Sequence, residues 1–126
     1  MSNHVRVIHP SDFLRAHPDG RADLESGKAL LAQVAEAAAP LETFQVLIDI
    51  RDVVGNLTPD ELHELAGSLI AFRNTFLRRT AILCPRERFD NARFFSLLAA
   101  SYGFKRMRAF LAYEDAMEWL MAPDDD

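Results

Sequence analysis

The sequence predicts a single α/β domain, spanning residues 1–126, in which one mixed, mostly parallel sheet of four to five strands carries four helices. From residue 24 onward, helical and strand patterns alternate as αβαβαβα, an order typical of parallel strands joined by right-handed crossovers. Two short strand patterns precede the first helix, so one N-terminal strand is expected to run antiparallel to the others. The length fits one domain with its own hydrophobic core.

The first elements are two short strands and a helix. Residues 5–8 and 12–17 form strand-like runs, and the Pro-Asp-Gly sequence at 18–20 predicts a turn. Apolar residues at spacings of three and four then predict a helix over residues 24–39. Asp23 stands where a helix N-cap is expected.

The middle of the chain contains a strand-to-helix junction, which we define as residues 44–65. Residues 44–50 are apolar at nearly every position, as in a strand that is buried on both faces. Thr58 and Pro59 are typical of a helix start, and Glu61 completes a capping box. Ligands of α/β folds usually bind at the carboxyl ends of strands next to helix N-termini, so this junction is the first place to expect function.

The C-terminal half continues the alternation. It predicts a strand over residues 79–84, a helix over 88–102, a strand over 104–110 and a closing helix over 113–121. The strand over 104–110 alternates imperfectly between apolar and charged residues, which favours an edge or half-exposed position in the sheet.

The net charge of −5 is unevenly distributed. Residues 73–108 carry nine basic and two acidic side chains, whereas residues 109–126 carry six acidic side chains and no basic one. The simpler interpretation is that the basic residues pair with the acidic flanks. The alternative is a basic face for an acidic or phosphate-bearing partner. That candidate basic face consists of Arg78, Arg79, Arg106 and Arg108.

Composition also indicates the cellular compartment to expect for this protein. No run approaches the roughly 18 apolar residues of a membrane span, and the N-terminus lacks a signal-peptide pattern. The one cysteine, Cys84, excludes an intramolecular disulfide, so a cytoplasmic protein is expected. Residues 122–126 are expected to form a flexible acidic tail. The acidic total makes nucleic acid an unfavoured partner.

Two stretches carry a family resemblance: the Leu47-Ile48-Asp49 strand end and the closing segment Phe110…Glu114-Asp115-Ala116…Trp119-Leu120. Together with the order of the elements, they make the chain similar to the SpoIIAA-like branch of the STAS (anti-sigma-factor antagonist) superfamily over about residues 5–121. That resemblance implies a STAS-like sheet with four helices. It also implies a non-catalytic, regulatory role in a bacterium, exerted by binding a protein partner.

The sequence departs from the family at its phosphorylation site. The phosphorylated STAS pattern reads Asp-Ser-Ser-Gly or Asp-Ser-Thr-Gly, whereas residues 52–59 read Asp-Val-Val-Gly-Asn-Leu-Thr-Pro. Thr58 is the only hydroxyl there, and its capping role already employs it. A phosphate on Thr58 would also be opposed by Asp60 and Glu61, so a phosphorylation switch is not expected.

The loop of the junction is the candidate interaction surface. Asp49 could be a phosphoacceptor of the receiver type, but that role needs acidic and lysine partners that the chain lacks at the required strand ends. Asp49 is therefore expected to accept hydrogen bonds from loop amides. The histidines and Cys84 show no metal-ligand spacing. We therefore predict no catalytic residue, cofactor or metal. The candidate loop residues are Asp49, Asp52, Gly55, Asn56 and Thr58.

Three alternatives stay open at this point. The aromatic residues of the second and third helices exceed what one helix face needs, which favours a carrier or sensor of a small apolar or anionic ligand. Cys84 follows a strand and has Arg86 and Arg88 nearby, so an enzyme using this thiol is a weaker alternative. A homodimer through aromatics or an edge strand is also possible. The aromatic residues are Phe72, Phe76, Phe94, Phe95 and Tyr102.

Overall fold

The computed structural model describes residues 3–8 and 13–123 and shows a sheet flanked by helices on both faces. Its strands are β1 (Arg6–Ile8), β2 (Phe13–Ala16), β3 (Gly20–Arg21), β4 (Gln45–Asp49), β5 (Val53–Val54), β6 (Thr80–Leu83) and β7 (Met107–Phe110). Its helices are α1 (Leu24–Ala38), α2 (Pro59–Ser68), α3 (Arg73–Phe76), α4 (Phe89–Ser101) and α5 (Tyr113–Met121). Short 3-10 turns at Leu69–Phe72 and Arg86–Arg88 lead into α3 and α4.

Five strands form the main sheet in the order β1-β2-β4-β6-β7. β1 runs antiparallel to β2, and the other neighbours are parallel. This confirms the predicted mixed, mostly parallel α/β architecture with one antiparallel N-terminal strand. Because the parallel strands end at the same edge of the sheet, the loops that follow β2, β4 and β6 are close together in space.

Two layers of apolar side chains sandwich the sheet. Val46 and Ile48 of β4 pack toward α1, α2 and α4, whereas Leu47 packs toward α5 together with Leu83 and Phe110. Residues 46–49 are all buried. The prediction that this strand is buried on both faces is therefore confirmed.

Local signals set several element boundaries correctly. Asp23 caps α1 as predicted, because its carboxylate accepts a hydrogen bond from the amide of Ser26 at 2.7 Å. Helix α5 has the predicted bounds, 113–121. β7 lies at the edge of the sheet as predicted, but it begins only at Met107. Phe104 lies in the preceding turn and is fully buried there.

The second helix, on which Phe72 and Phe76 were expected, is interrupted after Ser68. The α-helix ends at Ser68, a 3-10 turn follows, and α3 adds one further turn. The hydroxyl of Ser68 donates to the carbonyl of Leu65 at 2.6 Å, a local hydrogen bond that competes with helix propagation. The change of helical period buries Phe76 completely and leaves Phe72 half-buried.

Two predictions fall partly outside the described residues. The acidic tail was expected over 122–126, of which the structure describes only Ala122 and Pro123. The second strand was expected from Asp12, which is not described, and β2 is observed from Phe13. Within residues 3–8 and 13–123, no helix combines the length and the apolarity that crossing a membrane requires.

Candidate functional site

The carboxyl end of β4 is organised around Asp49, whose side chain is fully buried. Arg51 donates to both carboxylate oxygens, from Nε to Oδ1 at 2.9 Å and from Nη2 to Oδ2 at 2.8 Å. The amide of Arg51 donates to Oδ1 at 3.1 Å. Asp49 thus accepts hydrogen bonds from the loop, as expected, and all three come from the backbone and side chain of Arg51.

The charge state of Asp49 follows from these contacts. Burial by itself would raise the pKa of this carboxyl, but the hydrogen bonds and the positive charge of Arg51 lower it, and the pKa lies below its ordinary value. The hydrogen bond from Arg51 to Asp49 correspondingly raises the pKa of the guanidinium. Asp49 is therefore an ionised structural group at neutral pH rather than a proton donor.

Strand β2 brings two further charged residues to Asp49. Arg15 Nη2 lies 3.7 Å from Asp49 Oδ2, and His17 Nε2 lies 4.0 Å from the same oxygen. His17 Nε2 also contacts Asp52 Oδ2 at 2.8 Å. The sequence reasoning did not single out Arg15 or His17; the parallel pairing of Arg15 with Leu47, two residues before Asp49, is what brings them here.

Arg15, His17 and Asp52 also line a polar cleft of about 280 Å³. The cleft contains both cationic and anionic side chains, and two of its members, Arg6 and Arg15, lie directly opposite each other in the β1–β2 ladder. Its walls are formed by His4, Arg6, Arg15, His17, Asp19 and Asp52. The carboxylates offset the arginines, so the cleft as a whole favours neither sign of charge at neutral pH.

The loop after β4 is held in place from below. β5 pairs with β3 in a two-stranded ladder that the sequence did not predict. Arg88 donates to the carbonyls of Ile50 at 3.1 Å and Gly55 at 3.2 Å, and Asn91 Nδ2 donates to the carbonyl of Leu57 at 3.4 Å. Gly55 has φ +87°, a conformation in which a Cβ would be strained. The loop thus has a defined shape.

Thr58 closes the loop as the N-cap of α2. Its hydroxyl accepts a hydrogen bond from the Glu61 amide at 3.2 Å, and the Glu61 carboxylate accepts one from the Thr58 amide at 2.9 Å. The predicted capping box is therefore confirmed. The hydroxyl, the amide and the carbonyl of Thr58 are all engaged in starting the helix.

A second, apolar pocket of about 160 Å³ lies beneath this loop. It is bounded by α1, α2 and α4 and by the carboxyl ends of β4 and β6, and Gly55, Asn56 and Leu57 of the loop form part of its wall. Of the aromatic residues that suggested a ligand site, only Phe95 lines it. Phe76 is in the core and Phe94 is 40% exposed, so the aromatic surplus does not build one cavity.

Cys84 lies in the core at the end of β6. Burial raises the pKa of its thiol to about 11, although the charge of Arg88 acts in the opposite direction. Sγ donates a weak hydrogen bond to the Phe110 carbonyl at 3.5 Å. A buried thiol with a raised pKa is a poor nucleophile at neutral pH. Among residues 3–8 and 13–123, no group of three or more His, Cys, Asp and Glu side chains could hold a metal ion.

The four arginines of the candidate basic face lie away from the loop that follows β4. Arg78 and Arg79 precede β6 and Arg106 precedes β7, at the edge where the parallel strands begin, and Arg108 lies within β7. Arg79 donates to the carbonyls of Trp119 at 2.6 Å and Ala122 at 2.7 Å, next to the end of α5. Arg78 donates to the carbonyl of Glu42 at 2.7 Å. These two arginines thus donate to backbone carbonyls of neighbouring segments.

Aromatic rings complete the surroundings of these arginines. The guanidinium of Arg78 lies 5.0 Å from the ring centre of Phe44, and that of Arg108 lies 5.3 Å from Phe110. Such cation–π contacts fix the side chains against the sheet. The structure thus separates the two groups of residues that the sequence singled out, the junction loop and the basic face.

Comparison with protein-family models gives no match for this chain, and comparison with curated proteins gives none either.

Proposed function

We propose that this protein is a non-enzymatic regulatory domain of the SpoIIAA-like type, which binds a protein partner through the loop of the junction. The observation that carries the proposal is the loop itself, which is fixed from beneath by buried groups while it presents exposed side chains outward. Val54 is 60% exposed, and Asn56 and Thr58 are also exposed. The resemblance of the Asp49 strand end and of the closing helix to STAS domains supports the same conclusion.

The anchoring of the loop favours recognition by a preformed surface. Arg88 and Asn91 hold three of its carbonyls, Asp49 holds Arg51, and the β3–β5 ladder fixes its middle. A loop that is already ordered loses less conformational entropy on binding than a flexible one. Binding residues commonly occupy such loops on a rigid α/β scaffold.

The proposed mode of action does not include a phosphorylation switch. Thr58 is the only hydroxyl in residues 52–59, and its oxygen accepts the Glu61 amide. A phosphate on that oxygen would lie near the carboxylate of Glu61, which already bonds the Thr58 amide, and the two negative charges would repel. Regulation by partner availability or by a ligand is more compatible with these contacts.

Two further parts of the proposal concern chemistry and setting. The raised pKa and complete burial of Cys84 favour a structural thiol over a nucleophile. A reduced, buried thiol is also compatible with the proposed cytoplasmic setting. Homodimerisation through the edge strand β7 stays a prediction, because that strand presents one unpaired side among the described residues.

An affinity capture from the native host tests the partner-binding proposal. The double variant Val54→Lys with Asn56→Ala changes exposed side chains of the loop and leaves the side chains that anchor it, those of Asp49, Arg51, Arg88 and Asn91, in place. We expect it to lose at least one protein that the wild type retains. Leu97→Lys is the matched control, since Leu97 is an apolar residue of similar exposure, 65%, on α4.

The comparison of the two variants decides the outcome. Far-UV circular dichroism and urea unfolding first establish that both variants are folded. If the loop variant retains every partner that the wild type captures, the loop is not the binding surface and the proposal is wrong. If Leu97→Lys loses the same partner, binding does not depend specifically on the loop.

A further inference from the structure

The apolar pocket beneath the loop contains a charged side chain that the fold does not neutralise. Arg88 lines the pocket and is only 9% exposed. Its two Nη groups donate to the carbonyls of Ile50 and Gly55, while its Nε is buried and has no hydrogen-bond partner. Among the described residues, no carboxylate lies within ion-pair distance of Arg88, although several arginines and histidines elsewhere have one.

A buried, unpaired guanidinium is energetically unfavourable. Carbonyl oxygens satisfy some of its N–H groups, but they do not supply the negative charge that compensates for removal from water. Most of the surrounding wall is apolar and cannot supply it either: it includes Leu31, Ile48, Leu62, Ile82 and Phe95. An anion bound in the pocket beside Arg88 would supply the missing negative charge.

The size of the pocket restricts the ligand. Its volume of about 160 Å³ is close to that of a cavity of about 150 Å³ known to bind benzene. A single aromatic ring or a short branched alkyl chain therefore fits, whereas a nucleotide or a long lipid chain does not. The apolar body of such a ligand would lie against Ile48, Ile82 and Phe95.

The other charged residues of the pocket wall limit which anionic group a ligand can carry. Asp19, Asp23 and Arg21 also line the pocket. The Asp23 carboxylate is engaged as the cap of α1, and Asp19 lies 3.6 Å from the His4 ring. Two carboxylates near the pocket oppose a dianion more strongly than a monoanion. The planar guanidinium matches a carboxylate, which carries one charge and two acceptor oxygens.

We propose that this pocket binds a small monocarboxylate with an apolar body, such as an aromatic or a branched-chain acid, and that Arg88 holds its carboxylate. The site does not depend on the proposed protein partner, because it is formed by this chain alone. It also lies away from the aromatic residues of the second and third helices that suggested a ligand from the sequence, apart from Phe95.

Titration of the purified protein with benzoate and isovalerate at constant ionic strength tests this proposal, with binding followed by calorimetry and by amide chemical shifts. We expect saturable binding of at least one of these acids, with the shifts concentrated at Gly55, Leu57 and Asn91. Benzamide is the neutral control. It has the shape of benzoate without the charge and should bind about tenfold more weakly or worse, because it loses a charged hydrogen bond.

Two variants separate the roles of charge and space. Arg88→Gln keeps a polar side chain without the charge and should weaken benzoate binding by about tenfold or more. Ala92→Leu fills the pocket and leaves Arg88 in place, so it should abolish binding even if Arg88→Gln does not fold. Leu97→Lys should bind as the wild type does.

Several results would overturn the proposal. They are the absence of saturable binding of either acid at millimolar concentration, equal binding of benzamide and benzoate, and unchanged affinity in Ala92→Leu. Saturable binding of inorganic phosphate in place of the carboxylates would show that the ligand class is wrong. Partner capture is measured separately, so failure here leaves the protein-binding proposal standing, and the reverse also holds.

Discussion

Replacement of Asp49 by Asn should destabilise the protein substantially. The carboxylate accepts three hydrogen bonds from Arg51, two of them at its Oδ1. Asn can keep the bonds at Oδ1 but loses the charged bond at Oδ2, where its NH₂ group would face the guanidinium. A hydrogen bond to a charged group contributes about 1.5–3 kcal/mol, and an unsatisfied buried donor costs a similar amount. Arg51 is 44% exposed, so water recovers part of this loss.

We therefore expect Asp49→Asn to lower the free energy of unfolding by about 2–3 kcal/mol at neutral pH. Urea unfolding followed by circular dichroism measures it. Asp52→Asn is the matched control, because Asp52 is 65% exposed and its contact with His17 should contribute less than about 1 kcal/mol. If Asp49→Asn lowers the free energy of unfolding by no more than Asp52→Asn does, the reasoning is refuted.

The pH dependence provides a second check on Asp49. Its pKa is lower in the folded protein than in the unfolded chain, so its stabilising contribution is complete above the unfolded value of about 3.9. The contribution is lost as the pH falls through the lowered folded pKa. The difference in stability between wild type and Asp49→Asn should therefore narrow below about pH 4. A difference that widens on acidification would contradict this assignment.

Two further predictions concern the capping box and the thiol. Thr58→Ala should lower the free energy of unfolding in urea by about 1 kcal/mol, because the Glu61 amide loses its acceptor. Thr43→Ala, in an exposed bend, is the control and should be near neutral. Equal effects of the two substitutions would contradict the capping role of Thr58. Cys84 should react slowly with a thiol reagent at neutral pH and rapidly once urea unfolds the protein, since burial raises its pKa to about 11; fast labelling of the native state would contradict its burial.

Elements governed by local chemistry were predictable from the sequence. The start of α2 follows from Thr58, Pro59 and Glu61, whose capping contacts involve residues three apart. The cap of α1 at Asp23 is equally local. The α/β order and the doubly buried β4 follow from hydrophobic periodicity, which reflects which faces of an element are covered.

Features that depend on distant residues were not predictable in the same way. The β3–β5 ladder joins two-residue segments more than thirty positions apart, and neither segment has a periodicity that marks it as a strand. Arg88 is distinguished in the sequence from most other arginines of residues 73–108 only by its position near Cys84. Only the fold shows that it alone of these is buried in an apolar wall.

Arg88 has one consequence that concerns the energetics of the whole site. The same guanidinium fixes the carbonyls of Ile50 and Gly55 and lines the pocket below them. An anion at Arg88 would change the strength of those two bonds, and hence the population of the loop conformation seen above them. Thermodynamic linkage makes this effect reciprocal: a partner that prefers that loop conformation must alter the affinity for the anion by the same factor. If the proposed anion and the proposed partner both bind, this one side chain, with its two bonds to the loop, would couple the two sites.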